Sequence, residues 1–188
     1  MCLKMNHKEG LIIGIDVGLG VRSALGLAAI KNGKIIGARE VWATDKNLPQ
    51  KLRSLGLELE VFLKSIGEDY ETPFVDAIYF EYFVMRGKSG ESLQRLVGAL
   101  MSASPTDTPF IPVQNSTVKK LIGGKGNDDK KKVAEGVLRL LGKDPENKAL
   151  IERLISNEKW DILDAIAIAL AGEQMQEAIP KEDMKKSV

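Results

Sequence analysis

Four carboxylates stand within or at the end of apolar runs. Asp16 closes the run LIIGID and Glu81 closes VDAIYFE, while Asp161 and Asp164 lie in WDILDAIAIALA. Burying a lone charge costs several kcal/mol, so each of these groups needs a partner. No Lys or Arg accompanies each one in the sequence, and a shared divalent cation would satisfy all four. Mg²⁺ prefers oxygen ligands and keeps some of its waters, which suits an all-carboxylate site. Two such ions roughly 4 Å apart are a recurrent device for phosphodiester hydrolysis. One lowers the pKa of an attacking water, and the other stabilises the leaving 3′ oxygen.

Each carboxylate also has a plainer reading. Asp16 could cap the Gly-rich turn that follows it. Glu81 could face solvent at a strand end. Asp161 could be a helix N-cap, with Asp164 in the first turn. Against that last reading, Ser156-Asn157 offers start chemistry one turn earlier, which would place the aspartates inside the helix and facing a sheet. Three residues apart, the two share a helix face.

Between the second and third carboxylates lies a basic block. From Ser116 to Lys143 there are eight Lys or Arg and three acids, a local charge of +5 on a chain of +1 overall. The loop Gly123-Gly124-Lys125-Gly126 allows backbone N–H groups to approach a phosphate just before a helix begins. Lys119, Lys125, Lys130 and Lys131 are therefore candidate phosphate contacts, with a solvated helix face as the alternative. Directly after Glu81 comes Tyr82-Phe83-Val84-Met85-Arg86-Gly87-Lys88. Tyr82 and Phe83 could stack on bases and Arg86 and Lys88 could hold phosphates, or the apolar members could pack in the core.

The elements that must position these groups follow from periodicity. Leu11 to Asp16, Ser23 to Ile30 and Lys34 to Trp42 read as three antiparallel strands, with Asn32-Gly33 as a hairpin turn. Asn47 to Ile66 has helical apolar spacing. Val75 to Phe80 reads as a strand reached by a helical crossover, hence parallel to its neighbour. A helix from Ser89 to Ser102 and a strand from Phe110 to Val113 follow. Three helices then close the order, at Ser116 to Ile122, Asp129 to Leu141 and Glu158 to Gln176. The expectation is a single α/β domain over residues 1–188, a mixed five-stranded sheet with helices on both faces. Residues 1–9 and 179–188 read as loose tails.

Composition excludes other chemistries. With one cysteine, Cys2, and one histidine, His7, neither a disulfide framework nor a thiolate or histidine-rich metal site can be built. The first residues lack an apolar signal core, and the apolar stretch from Leu11 to Ile30 is broken by Asp16 and Arg22. A cytoplasmic protein without membrane contact is expected.

Taken together, these residues resemble the RuvC-type Holliday junction resolvases of the RNase H-like nuclease superfamily, over roughly Leu11 to Glu173. IIGIDVG is similar to the family's opening GIDPG, AIYFEYFVM to its second motif, and DILDAIAIAL to its closing DAADALAVA. KKLIGGKGNDDKKKV resembles its lysine, Gly-x-Gly and Asp-Lys block. The resemblance implies Asp16, Glu81, Asp161 and Asp164 as catalytic metal ligands, and Lys119 and Lys130 as phosphate contacts. It also implies two Mg²⁺ per site, with Mn²⁺ able to substitute, and a homodimer that nicks four-way DNA junctions symmetrically. The helix from Ser89 to Ser102, with its small residues, is the expected dimer contact. Val17 stands for the usual Pro, Ser23-Ala24 for Thr-Gly, and Val84 for the stacking Phe. Two other classes share parts of this pattern. They are a YqgF-type RNA-processing nuclease and an actin-like ATP-binding module, whose second lobe this length does not provide.

Overall fold

The computed structural model describes residues 10–18, 23–45, 47–67, 73–81, 87–127 and 129–178, with residues 23 and 87–89 described by their backbone only. The chain opens with three strands, β1 (Leu11–Gly18), β2 (Ser23–Lys31) and β3 (Lys34–Ala43). Asn32 and Gly33 both take positive φ, 56° and 71°, as the expected hairpin turn requires. Helix α1 (Leu48–Ile66) follows, its N-terminus capped by the Asn47 side chain, which accepts from the Gln50 N–H at 3.0 Å. Then come β4 (Ala77–Glu81), α2 (Gly87–Ser102), β5 (Phe110–Val113), α3 (Asn115–Leu121), α4 (Lys130–Leu141), α5 (Pro145–Ser156) and α6 (Trp160–Glu177).

The strand order is β3-β2-β1-β4-β5. β2 is antiparallel to both β1 and β3, whereas β4 is parallel to β1 and β5 parallel to β4. Helices cover both faces, as expected. Leu11, Ile13, Ile15 and Val17 join one core cluster with Leu55, Leu59 and Phe62 of α1 and Leu96 and Leu100 of α2. Ile12, Ala77 and Tyr79 join the other, built on α6 with α3, α4 and α5.

The structure corrects two features of the sequence reading. Helix α5 is an additional element. Its signal is Asp144-Pro145: the aspartate accepts from the N–H groups of Glu146 and Asn147, each at 2.9 Å, and proline fixes the first turn. Ser156-Asn157, expected to start the last helix, instead ends α5, with the Asn157 N–H returning to the Arg153 carbonyl and the Glu158 N–H to the Ile155 carbonyl, each at 3.1 Å. Asn serves helix ends as well as starts, so the residue type alone was ambiguous. After a tight turn in which Glu158 takes φ 52°, α6 begins at Trp160. Asp161 therefore lies in its first turn, with Asp164 one turn further in.

α6 is apolar on all sides because it is enclosed between the sheet and the outer helices, with Ile162, Leu163 and Ala165 through Gly172 buried. Glycines in the sheet let it lie unusually close. A methyl group on Gly14 would overlap the Ala165 carbonyl oxygen, and one on Gly26 would overlap the Asp161 carbonyl oxygen. The helix thus starts over β2 at Gly26 and passes over Gly14 of β1, and its Gly172 rests against the Tyr79 ring of β4. A second tie is polar. The buried Asn147 side chain accepts from the Ile35 N–H at 3.0 Å and donates to the Gly33 carbonyl at 2.9 Å, fastening α5 to the β2–β3 hairpin.

The seating at Gly26 predicts a strong response to one methyl group. Gly26→Ala is expected to cost about 1–3 kcal/mol through overpacking, read as a fall of roughly 4–10 °C in thermal midpoint. Thermal denaturation followed by circular dichroism checks this.

Candidate active site

The four carboxylates come from three elements that meet at one sheet edge. β1 and β4 run parallel with Ile15 opposite Phe80, so the next step in register sets Asp16 beside Glu81. Both lie on the α6 face, because side chains alternate along a strand and Gly14 and Tyr79 already contact that helix. The first turns of α6 bring Asp161 and Asp164 over the same edge.

Electrostatics records this convergence. The Asp16 carboxyl is pushed up to about 8, first by burial and then by the charges of Asp164, Glu81 and Asp161, with Lys130 pulling the other way. Asp164 is also raised, mainly by burial and further by Glu81 and Asp161, against the opposing pull of Lys130. Lys130 is the local counter-charge. Its ammonium stands 3.6 Å from Asp161 and 3.6 Å from Asp164, bridging the two.

The donor set fits a hard divalent cation in kind. It consists of oxygen ligands carrying excess negative charge, with an ammonium group in the position of a balancing cation. Among the described residues, no three acidic side chains converge closely enough to hold an ion as they stand.

The remaining expected residues divide into three groups. Lys119, on α3, lines an open pocket with Glu81, Asn115 and Asp164, so it shares the carboxylate edge. Lys125, in the loop before α4, and Lys131, on α4, are exposed. Tyr82, Phe83 and Arg86 lie outside the described residues, and Lys88 lies in the first turn of α2 with only its backbone described. The Gly-rich loop does form: Gly123 takes φ 82° and Gly124 N–H returns to the Lys119 carbonyl at 2.8 Å.

The sequence reading missed Asn115. Its Nδ2 donates to Glu81 Oε1 at 2.9 Å, orienting that carboxylate from the start of α3. The only signal was its place immediately after β5, the neighbour of β4. Small residues on α2 also proved to serve a contact within the chain. Gly56 of α1 approaches the Ala99 carbonyl and the Ala103 methyl, both at 3.5 Å from where its Cβ would stand.

A mixed five-stranded sheet of this order, with α6 crossing it, has the RNase H-like fold seen in RuvC. Among solved structures, the chain is similar to the Thermus thermophilus RuvC structure, with 20% identity and a TM-score of 0.61 over 89% of this chain and 96% of that one. It is also similar to T. thermophilus RuvC in complex with Holliday junction substrate, with 18% identity and a TM-score of 0.63 over 90% and 96%. No protein-family profile and no curated protein sequence matches the chain. The likeness expected from the motifs therefore holds at the level of the fold.

The raised Asp16 carboxyl has a consequence for stability. Its folded value of about 8 exceeds the ordinary 3.8, so the folded state binds the proton more tightly than the unfolded state. Between those values stability falls as pH rises. An amide at this position escapes that penalty. In metal-free buffer Asp16→Asn is expected to raise the thermal midpoint by about 3–6 °C at pH 8. The gain should shrink towards zero near pH 4. Melting curves across that pH range check it, and a gain independent of pH would contradict the burial and crowding of charge that raise this carboxyl.

Proposed function

We propose that this chain is a structure-selective, Mg²⁺-dependent DNA endonuclease that resolves four-way junctions by paired nicks. The observation that carries the reading is the meeting of Asp16, Glu81, Asp161 and Asp164 at one edge of a RuvC-type fold. The solved neighbour in complex with a Holliday junction substrate supports the substrate class.

In this reading Asp16 and Glu81, from adjacent strands, and Asp161 and Asp164, from the helix above them, hold two divalent cations. When bound, these would activate a water and stabilise the leaving oxygen, giving 5′-phosphate and 3′-hydroxyl ends. Asn115 keeps Glu81 in one orientation. Lys119 and Lys130 border the carboxylates and hold the flanking phosphates. Lys125 and Lys131 extend that basic surface, joined by Arg86 and Lys88 from the segment after β4, where Tyr82 and Phe83 supply aromatic contacts. Lys130 has a second duty, since its ammonium bridges Asp161 and Asp164.

A two-fold substrate with two scissile phosphates calls for two identical sites, hence a homodimer. The outer face of α1 and α2 suits that contact. Leu57, Val61 and Met101 are each about half exposed there, at 52%, 51% and 53%, and Gly98 leaves room for close approach. Among the described residues, no helix is long and apolar enough to cross a membrane.

Two experiments test this reading. Purified protein with Mg²⁺ should nick a four-way junction in preference to linear duplex or structured RNA. Asp16→Asn should reduce nicking by at least about 100-fold while leaving junction binding within a few-fold. Preference for structured RNA would favour the YqgF-type activity instead. For assembly, Val61→Glu should convert a dimer to a folded monomer in size-exclusion light scattering, and a wild-type monomer would remove the proposed contact.

A further inference from the structure

One aromatic residue on the carboxylate face has no role in the site described above. Trp42 lies near the end of β3 and is 49% exposed. The register places it opposite Ala24 of β2, which pairs with Gly18 of β1, while Glu40 lies opposite Gly26 and so in line with Asp16. Trp42 therefore belongs to the α6 face and to the same end of the sheet as Asp16. Two strands and two residues separate them, a Cα distance of roughly 12 Å by standard sheet spacings.

Much of the rest of that face packs against α6 and the helices around it. The helix, however, begins over Gly26 and runs away from β3, towards Gly14 and then Tyr79. Trp42 lies one step beyond its first turn and keeps an open ring. Its footing is firm. Ala24 is buried, and the almost covered Glu40 carboxylate accepts from Lys159 Nζ at 2.8 Å, tying β3 to the turn before α6. A single exposed apolar residue is ordinary on a protein surface. A large flat one on the rigid rim of a carboxylate site is a ready stacking platform, since every nucleobase offers a π-face.

We propose that Trp42 stacks on an unpaired nucleobase of the strand whose phosphate lies at the Asp16–Asp164 carboxylates. It acts as a positioning residue that sets strand register. The proposal rests on the nuclease reading. At the ~3.4 Å rise of a stacked strand, the base concerned lies about three or four nucleotides from the scissile phosphate. Stacking tolerates any base, so Trp42 contributes affinity and register rather than sequence choice.

The test uses the full chain and a synthetic four-way junction. Trp42→Ala is expected to weaken junction binding by about 5- to 100-fold, to raise KM with little change in kcat, and to spread the nick positions. Trp42→Phe should recover most of the affinity. Junction binding should quench tryptophan emission in Trp160→Phe, where Trp42 is the remaining tryptophan, and not in Trp42→Ala. If wild-type protein binds and nicks the junction while Trp42→Ala matches it within two-fold, the proposal is overturned and the nuclease reading stands. A change in particle mass for Trp42→Ala with unchanged DNA affinity would assign the residue to a protein contact and overturn it equally. Wild-type protein that binds no DNA overturns both.

Discussion

Everything in this molecule depends on how closely α6 lies on the sheet. Without Cβ atoms at Gly14 and Gly26, helix backbone rests directly on strand backbone. That contact encloses an apolar helix and builds one of the two cores. It also carries Asp161 and Asp164 to the edge where Asp16 and Glu81 already stand. The apolar burial along the rest of α6 offsets the repulsion collected at its first turns. Crowding buried carboxylates costs stability, and here the cost can be located in one carboxyl, that of Asp16.

The charge pattern around that edge is ordered rather than merely crowded. The N-terminal end of α6 favours negative charge, because its unsatisfied N–H groups point outward. Lys130, at the start of α4, supplies a bridging ammonium. Lys119 arrives from α3 and Asn115 fixes Glu81. Acids thus occupy the centre and cations the border, the arrangement on which the proposed phosphate contacts depend.

The sequence made much of this legible because its signals were physically redundant. Asn32-Gly33 demanded positive φ and took it, and the crossover rule predicted a parallel β4, which set Glu81 beside Asp16. The charged residues were conspicuous for standing in apolar runs. What escaped were signals with two meanings or none. Ser156-Asn157 suits either end of a helix, so α5 and the true start of α6 were misread. Asn115 is an unremarkable polar residue until the β4–β5 pairing brings it to Glu81. Gly14 and Gly26 look like interruptions of strands until a helix is laid across them.

The same seating has a bearing on how the chain comes to be folded. α6 closes the order of described elements, yet it packs on β1 and β2, which open it. Contacts so distant in sequence form late, after the intervening loop entropy has been overcome. The β1–β3 meander and the α1 and α2 layer can assemble locally while α6 is still absent. Until it docks, Asp161 and Asp164 are nowhere near Asp16. A nascent or partly unfolded chain therefore lacks the assembled carboxylate cluster, which exists only once the fold is complete.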